Sequence, residues 1–193
     1  MPPPLRSDPS LAQGNGKTTL VRLLLGELEA TEGEIFRAGG ARIALVNQHH
    51  ADQIDLTLSP LHFLLERFPG DGSYDHEQAL RSHLASCGVT SEMMALPASA
   101  LSGGQRSRVS LAAVSYAKPH ILVLDEPTNN LDLESVVALA DCIDKFEGGV
   151  VLVSHDQYFV SRVAKEVWVV EGGKVTQAES FARYRATALS KLK

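Results

Sequence analysis

The chain has 193 residues, of which 44% are hydrophobic and 21% charged, the balance of one globular domain, with or without a small insertion. No run of about 18 apolar residues occurs and the start of the chain lacks a signal peptide's apolar core, so no membrane-spanning helix is expected. The net charge of −5 argues against a protein that coats nucleic acid by bulk charge.

The charge is uneven. From Arg162 onward seven Lys or Arg stand against three acids, so the tail carries +4 and the remainder −9, the pattern of a solvated charged terminus or of a tail that lies against RNA or an acidic partner. Cys87 and Cys142 form no metal spacing and sit in no catalytic motif, which predicts buried thiols in a reducing, cytoplasmic compartment.

Residues 1–10 hold four prolines and no apolar alternation, and read as an extended or disordered lead-in. The string Gly14-Asn15-Gly16-Lys17-Thr18-Thr19 then fits the second half of the phosphate-binding loop G-x-x-x-x-G-K-S/T, followed by the helical pattern that loop requires, over Thr18 to Leu25. Glycines let backbone N–H groups close on phosphate oxygens at a helix N-terminus, where the helix dipole also favours anions. Leu11 stands where the motif's first glycine belongs, and no candidate strand precedes the loop, so the sheet is expected to lack a member unless another chain supplies it.

Residues 33–48 read as two strands around Gly39-Gly40, the second running from Ala41 to Val46 and ending at Asn47-Gln48. From His49 to Ala100 the texture becomes helical. Ser59-Pro60 opens a helix that Pro69-Gly70 stops, a second runs from about Asp75 to Cys87, and a short third spans Ser91 to Leu96. His49, His50, His62, His76 and His83 do not recur at a metal-ligand spacing and are expected as exposed or capping residues. Ser102-Gly103-Gly104-Gln105 precedes a helix to about Ala117. Ser102 serves as N-cap there, while the glycine N–H groups stay open to an anion.

Ile121 to Leu124 form a short apolar run, typical of a strand buried on both faces, that ends in Asp125 and Glu126. Ligands of open α/β sheets bind beyond such strand ends, where carboxylates and substrate phosphates hold Mg²⁺. Asp132 caps a helix of about Leu133 to Phe146. Gly149 to Val153 is another buried strand, ending in Ser154-His155-Asp156. Glu166 to Val170 and Val175 to Gln177 form a hairpin, and the tail from Ser180 is helical before it frays.

The order of these motifs resembles the nucleotide-binding domain of ATP-binding cassette (ABC) proteins. The resemblance implies an α/β P-loop NTPase of ABC type: a mostly parallel sheet flanked by helices, its first strands missing, with residues 11–178 as the domain, a helical subdomain of about 49–117 inserted in it, and 179–193 as a basic tail. By that resemblance Gly14 to Thr19 is the Walker A loop, Gln48 the Q-loop, Leu101 to Gln105 the signature, Ile121 to Glu126 Walker B, 130–132 the D-loop and His155 the switch histidine. ATP and Mg²⁺ are the implied ligands. Lys17 serves the β and γ phosphates, Thr18, Gln48 and Asp125 the metal, Glu126 the attacking water and His155 the γ-phosphate, while Ser102 to Gln105 and Asp132 serve the nucleotide of a second, head-to-tail domain.

EPTNNLD, GGVVLVSHDQYFV and VWVVEGGKV followed by FARYR look like the F subfamily, the tandem-cassette ATPases associated with ribosomes and translation. Within it, NQHHADQIDLTLSP and RFPG look closest to the second cassette of the animal third member and the fungal general-control factors, a branch with histidine where this chain has Asn130. A second cassette, ribosomes or translation factors, and no membrane are the implied partners. The alternatives are a transporter's ATPase subunit and an N-terminally truncated, catalytically silent fragment of a longer tandem protein.

Overall fold

The computed structural model describes residues 16–47, 50–129, 131–179 and 183. The chain divides into two compact units, Gly39–Ala164 on the one hand and residues 1–38 with 165–193 on the other.

In the larger unit three strands form a parallel sheet in the order β1 (Ile43–Asn47), β2 (Ile121–Asp125), β3 (Gly149–Val153). The register sets Asn47 opposite Asp125 and Asp125 opposite Val153, so the three strands reach their carboxyl ends together. β2 lies between the other two. Leu122, Val123 and Leu124 are accordingly 1% exposed or less, each contributing about 1.5–3 kcal/mol by burial. β3 was expected to be buried in the same way, but Val150 to Val153 are only half-buried, because among the described residues it has a ladder neighbour on one side only.

The helices of this unit begin where polar caps predict. α2 (Pro60–Arg67), α3 (Tyr74–Ser86) and α4 (Ser91–Ala95) start behind Ser59, Ser73 and Thr90, each accepting the N–H three residues on. α5 (Gly103–Tyr116) starts behind Ser102, and α6 (Leu133–Asp144) behind Asp132. Leu64, Leu80, Leu84 and Leu111 interlock α2, α3 and α5 in one apolar cluster that also takes in Leu122 and Leu124 of the sheet. α7 (Gln157–Val163), behind the cap Asp156, is a helix that the apolar pattern did not reveal, and its Phe159 is fully buried in the same cluster. Arg162 pairs with Asp141 and Asp144, tying α7 to α6.

The smaller unit holds α1 (Lys17–Leu25) and the antiparallel hairpin β4 (Val167–Glu171) and β5 (Lys174–Ala178). Arg37 donates to the Leu23 and Leu24 carbonyls at the end of α1, where Gly26 takes the left-handed conformation that closes the helix. The strand expected ahead of Gly39-Gly40 does not form: residues 34–38 are coil, with Phe36 92% exposed. A strand exists only through a ladder partner, and among the described residues this segment has none. The helical tail expected from Ser180 lies, Arg183 apart, outside the described residues.

Candidate functional site

Asp125 and Glu126 stand at the carboxyl end of the central strand, but their backbones differ. Asp125 is the last ladder residue of β2, whereas Glu126 turns into the left-handed region with φ of 50°, a conformation that costs a non-glycine residue about 1–3 kcal/mol. Two bonds hold it there. Its N–H donates to Val153 O at 2.8 Å, and Asn129 N–H donates to its carbonyl at 3.3 Å. The turn carries the Glu126 side chain toward the end of β3, where Oε2 accepts the His155 backbone N–H at 3.2 Å and Oε1 lies 3.3 Å from His155 Nε2.

His155 is held from its other side as well. Asp156, the next residue, accepts from Phe159 N–H and donates its own N–H to Ser154 Oγ, so the histidine sits between the end of β3 and the capped start of α7. The carboxylate side chain is 20% exposed and the imidazole 77%. A partly desolvated carboxylate is thus aimed at the strand ends beside an accessible imidazole. That pairing suits the orientation or deprotonation of a water there.

The segment from Ser102 to Gln105 forms a capping box. Ser102 Oγ accepts the Gln105 N–H, and Gln105 Oε1 accepts the Ser102 N–H. Gly103 faces open space, but Gly104 is buried. A Cβ on it would stand 2.2 Å from Ser135 Oγ and 2.8 Å from Ser135 Cβ. Gly104 therefore lets α5 meet α6 closely, a role the sequence pattern did not suggest. Asp132 caps α6 by accepting the Ser135 N–H at 2.7 Å. Hydrogen bonding from Ser135 holds the Asp132 carboxyl below the ordinary value, and Arg108 adds to this. Arg108 is a buried guanidinium that also donates to Gly88 O at 2.9 Å, and nothing in the sequence marked it.

In the smaller unit α1 opens at Gly16, left-handed with φ of 90° and with no side-chain cap. The first-turn N–H groups of a helix are not spent on its own carbonyl ladder. Lys17 is half-buried and Thr18 exposed. Gly14, Asn15, Gln48 and Asn130 lie outside the described residues. Among the described residues no group of three or more His, Cys, Asp or Glu gathers as a metal site. His62 Nδ1 meets Ser59 Oγ and His76 Nε2 meets Phe68 O, as capping residues do, whereas His83 is half-buried against Ala112 O and Ser115 Oγ.

A parallel sheet flanked by helices, acids at the end of its central strand, and a glycine-lysine helix start define an α/β domain of the P-loop NTPase class. Two solved structures share the fold. One is cbiO1 from Clostridium perfringens, part of the ABC transporter complex cbiONQ, at a TM-score of 0.75 and 23% identity over 94% of this chain and 81% of that one. The other is the ATP-binding cassette MJ0796, a dimer in a post-hydrolysis state bound to ADP and Pi, at 0.65 and 20% over 86% and 82%.

The chain belongs to the ABC transporter family, whose family model matches residues 12–129. Two of its similar relatives are F-family members, as the motifs implied. It is 44% identical over 162 residues to ABC transporter F family member 3 of Arabidopsis thaliana, covering 84% of this chain and 22% of that protein. To ATP-binding cassette sub-family F member 3 of Homo sapiens it is 42% identical over 174 residues, covering 90% and 24%. The chain thus spans about a quarter of the length of these relatives. No helix among the described residues is long and apolar enough to cross a membrane.

Proposed function

We propose that this chain is an F-type ABC cassette that binds ATP and hydrolyses it with Mg²⁺, working head to tail with a second cassette in a ribosome- or translation-related role. The observation that carries the reading is the pairing of Glu126 with His155 at the carboxyl end of the central strand. Asp125, beside them, is the hard oxygen donor that Mg²⁺ prefers.

The roles divide by residue. The N–H groups that open α1, with Lys17, bind the β and γ phosphates. Thr18, Asp125 and Gln48 are the residues that would hold Mg²⁺, which when bound neutralises charge on those phosphates. Glu126 orients the attacking water and takes up its proton, and His155 steadies both Glu126 and the γ-phosphate. Ser102, Gly103, Gly104, Gln105 and Asp132 face the nucleotide of the second cassette. A solved relative of the fold is a dimer bound to ADP and Pi, and this supports the two-cassette reading.

General-base assistance is worth on the order of 10²- to 10⁴-fold. Glu126→Gln is therefore expected to keep ATP binding and lose phosphate release by that factor, measured with a fluorescent ATP analogue and a phosphate sensor, in this chain mixed with a second cassette. Unchanged phosphate release removes Glu126 from the role. A wild-type chain that binds no ATP leaves the silent-fragment reading in its place. Cosedimentation with ribosomes tests the cellular role, and recovery with membranes instead favours a transporter subunit.

A further inference from the structure

The end of α3 lies along one face of α6. Lys145 Nζ donates to the Ser86 carbonyl at 3.2 Å, and a Cβ on Gly88 would stand 3.1 Å from Ala138 Cβ. Ala138, Cys142 and Lys145 follow one another at the spacing of a single helix face. Cys87, between Ser86 and Gly88, is thereby set against Cys142, close enough for each thiol to perturb the other's titration. Both are free cysteines, 0% and 6% exposed. A closed zinc site needs about four ligands, and among the described residues no third His, Cys, Asp or Glu joins them. The pair also stands outside the residues assigned to ATP.

We propose that Cys87 and Cys142 are a modification site: a buried dithiol that hydrogen peroxide closes to a disulfide, tying the end of α3 to α6. The Cys87 sulfur, as thiolate, attacks one peroxide oxygen. The S–O bond forms as the O–O bond breaks, and the departing hydroxide leaves as water with the proton that Cys87 gave up. The Cys142 sulfur then attacks the Cys87 sulfenic acid. The S–S bond forms, the S–O bond breaks, and hydroxide leaves with the Cys142 proton as a second water. Two electrons pass from the two thiols to one peroxide.

The order follows from the surroundings of each sulfur. The neighbouring Cys142 thiol, against the opposing effect of burial, holds the Cys87 thiol below its ordinary value, with Ser86, Ser115 and Lys145 adding to it, while Cys142 remains a thiol. A thiolate is the nucleophile in such oxidations. The low exposure of both sulfurs keeps a bulky disulfide reagent from either of them.

The test uses the full 193-residue chain, reduced and then exposed to hydrogen peroxide with and without urea, followed by intact mass and peptide mapping. Without urea the expected product is a single intrachain Cys87–Cys142 disulfide, lighter by two hydrogens and reversed by a dithiol reductant. With urea the expected products are a mixture with sulfinic acids and cross-linked chains. Cys142→Ser is expected to carry Cys87 on to sulfinic acid, and Cys87→Ser to leave Cys142 reduced. Retention of both thiols, separate over-oxidation of each, chain-to-chain linkage, or the same product mixture in both conditions overturns the proposal.

Discussion

Replacing Gly104 with alanine separates the roles of the neighbouring glycines Gly103 and Gly104. Gly104 lies in the first turn of α5 with an ordinary helical backbone, so conformation alone favours alanine by up to about 1 kcal/mol. Packing opposes it, because the new methyl would stand 2.2 Å from Ser135 Oγ and 2.8 Å from Ser135 Cβ. Optimal contact between carbon atoms is about 3.5–4.0 Å. A new Ser135 rotamer moves Oγ but leaves Cβ in place, so α5 and α6 must move apart. Overpacking of this kind costs about 1–3 kcal/mol, which leaves a net destabilisation of roughly 0–2 kcal/mol after a propensity gain of about 1 kcal/mol.

Gly103→Ala is the control. Nothing lies within 4 Å of its added Cβ, and it is expected to be neutral or stabilising by a few tenths of a kcal/mol. Urea denaturation of the two variants measures the difference as a shift in midpoint. Ser135→Gly combined with Gly104→Ala is expected to recover about 0.5–2 kcal/mol relative to the sum of the single changes. A Gly104→Ala protein as stable as Gly103→Ala would refute the close approach of α5 to α6.

Ser102→Ala removes the capping box of α5 and is expected to cost about 1 kcal/mol in the same denaturation assay. Burial pushes the His83 imidazole below its ordinary value of 6.5, with Lys118 adding to this and the Ala112 hydrogen bond opposing it. The unfolded chain therefore takes up the His83 proton at a higher pH than the folded one. The contribution of neutral His83 is complete above 6.5 and is lost as the pH falls from there through the folded value. A series of thermal midpoints descending from neutral pH is expected to show this loss, and His83→Gln to flatten it. Asp55, Asp71 and Asp132, all held below 3.8 by hydrogen bonds, act in a separate and more acid window.

Most elements of this chain were legible in its sequence because their signals are local. Ser59, Ser102 and Asp132 each cap a helix through an N–H three residues away, and the apolar run Ile121 to Leu124 with its two acids marks a buried strand wherever it is placed. The motif order was legible for the same reason, and it carried the family. Tertiary structure alone decided what depends on distant partners. It set Asn47, Asp125 and Val153 in register, folded His155 back onto Glu126, brought Ser135 under Gly104, and laid Cys142 against Cys87. It also withheld the strand expected at residues 34–38, since a ladder needs a partner that a local pattern cannot supply. Capping and apolar periodicity act within a few residues, whereas register and close packing are set by which segments the whole fold brings together.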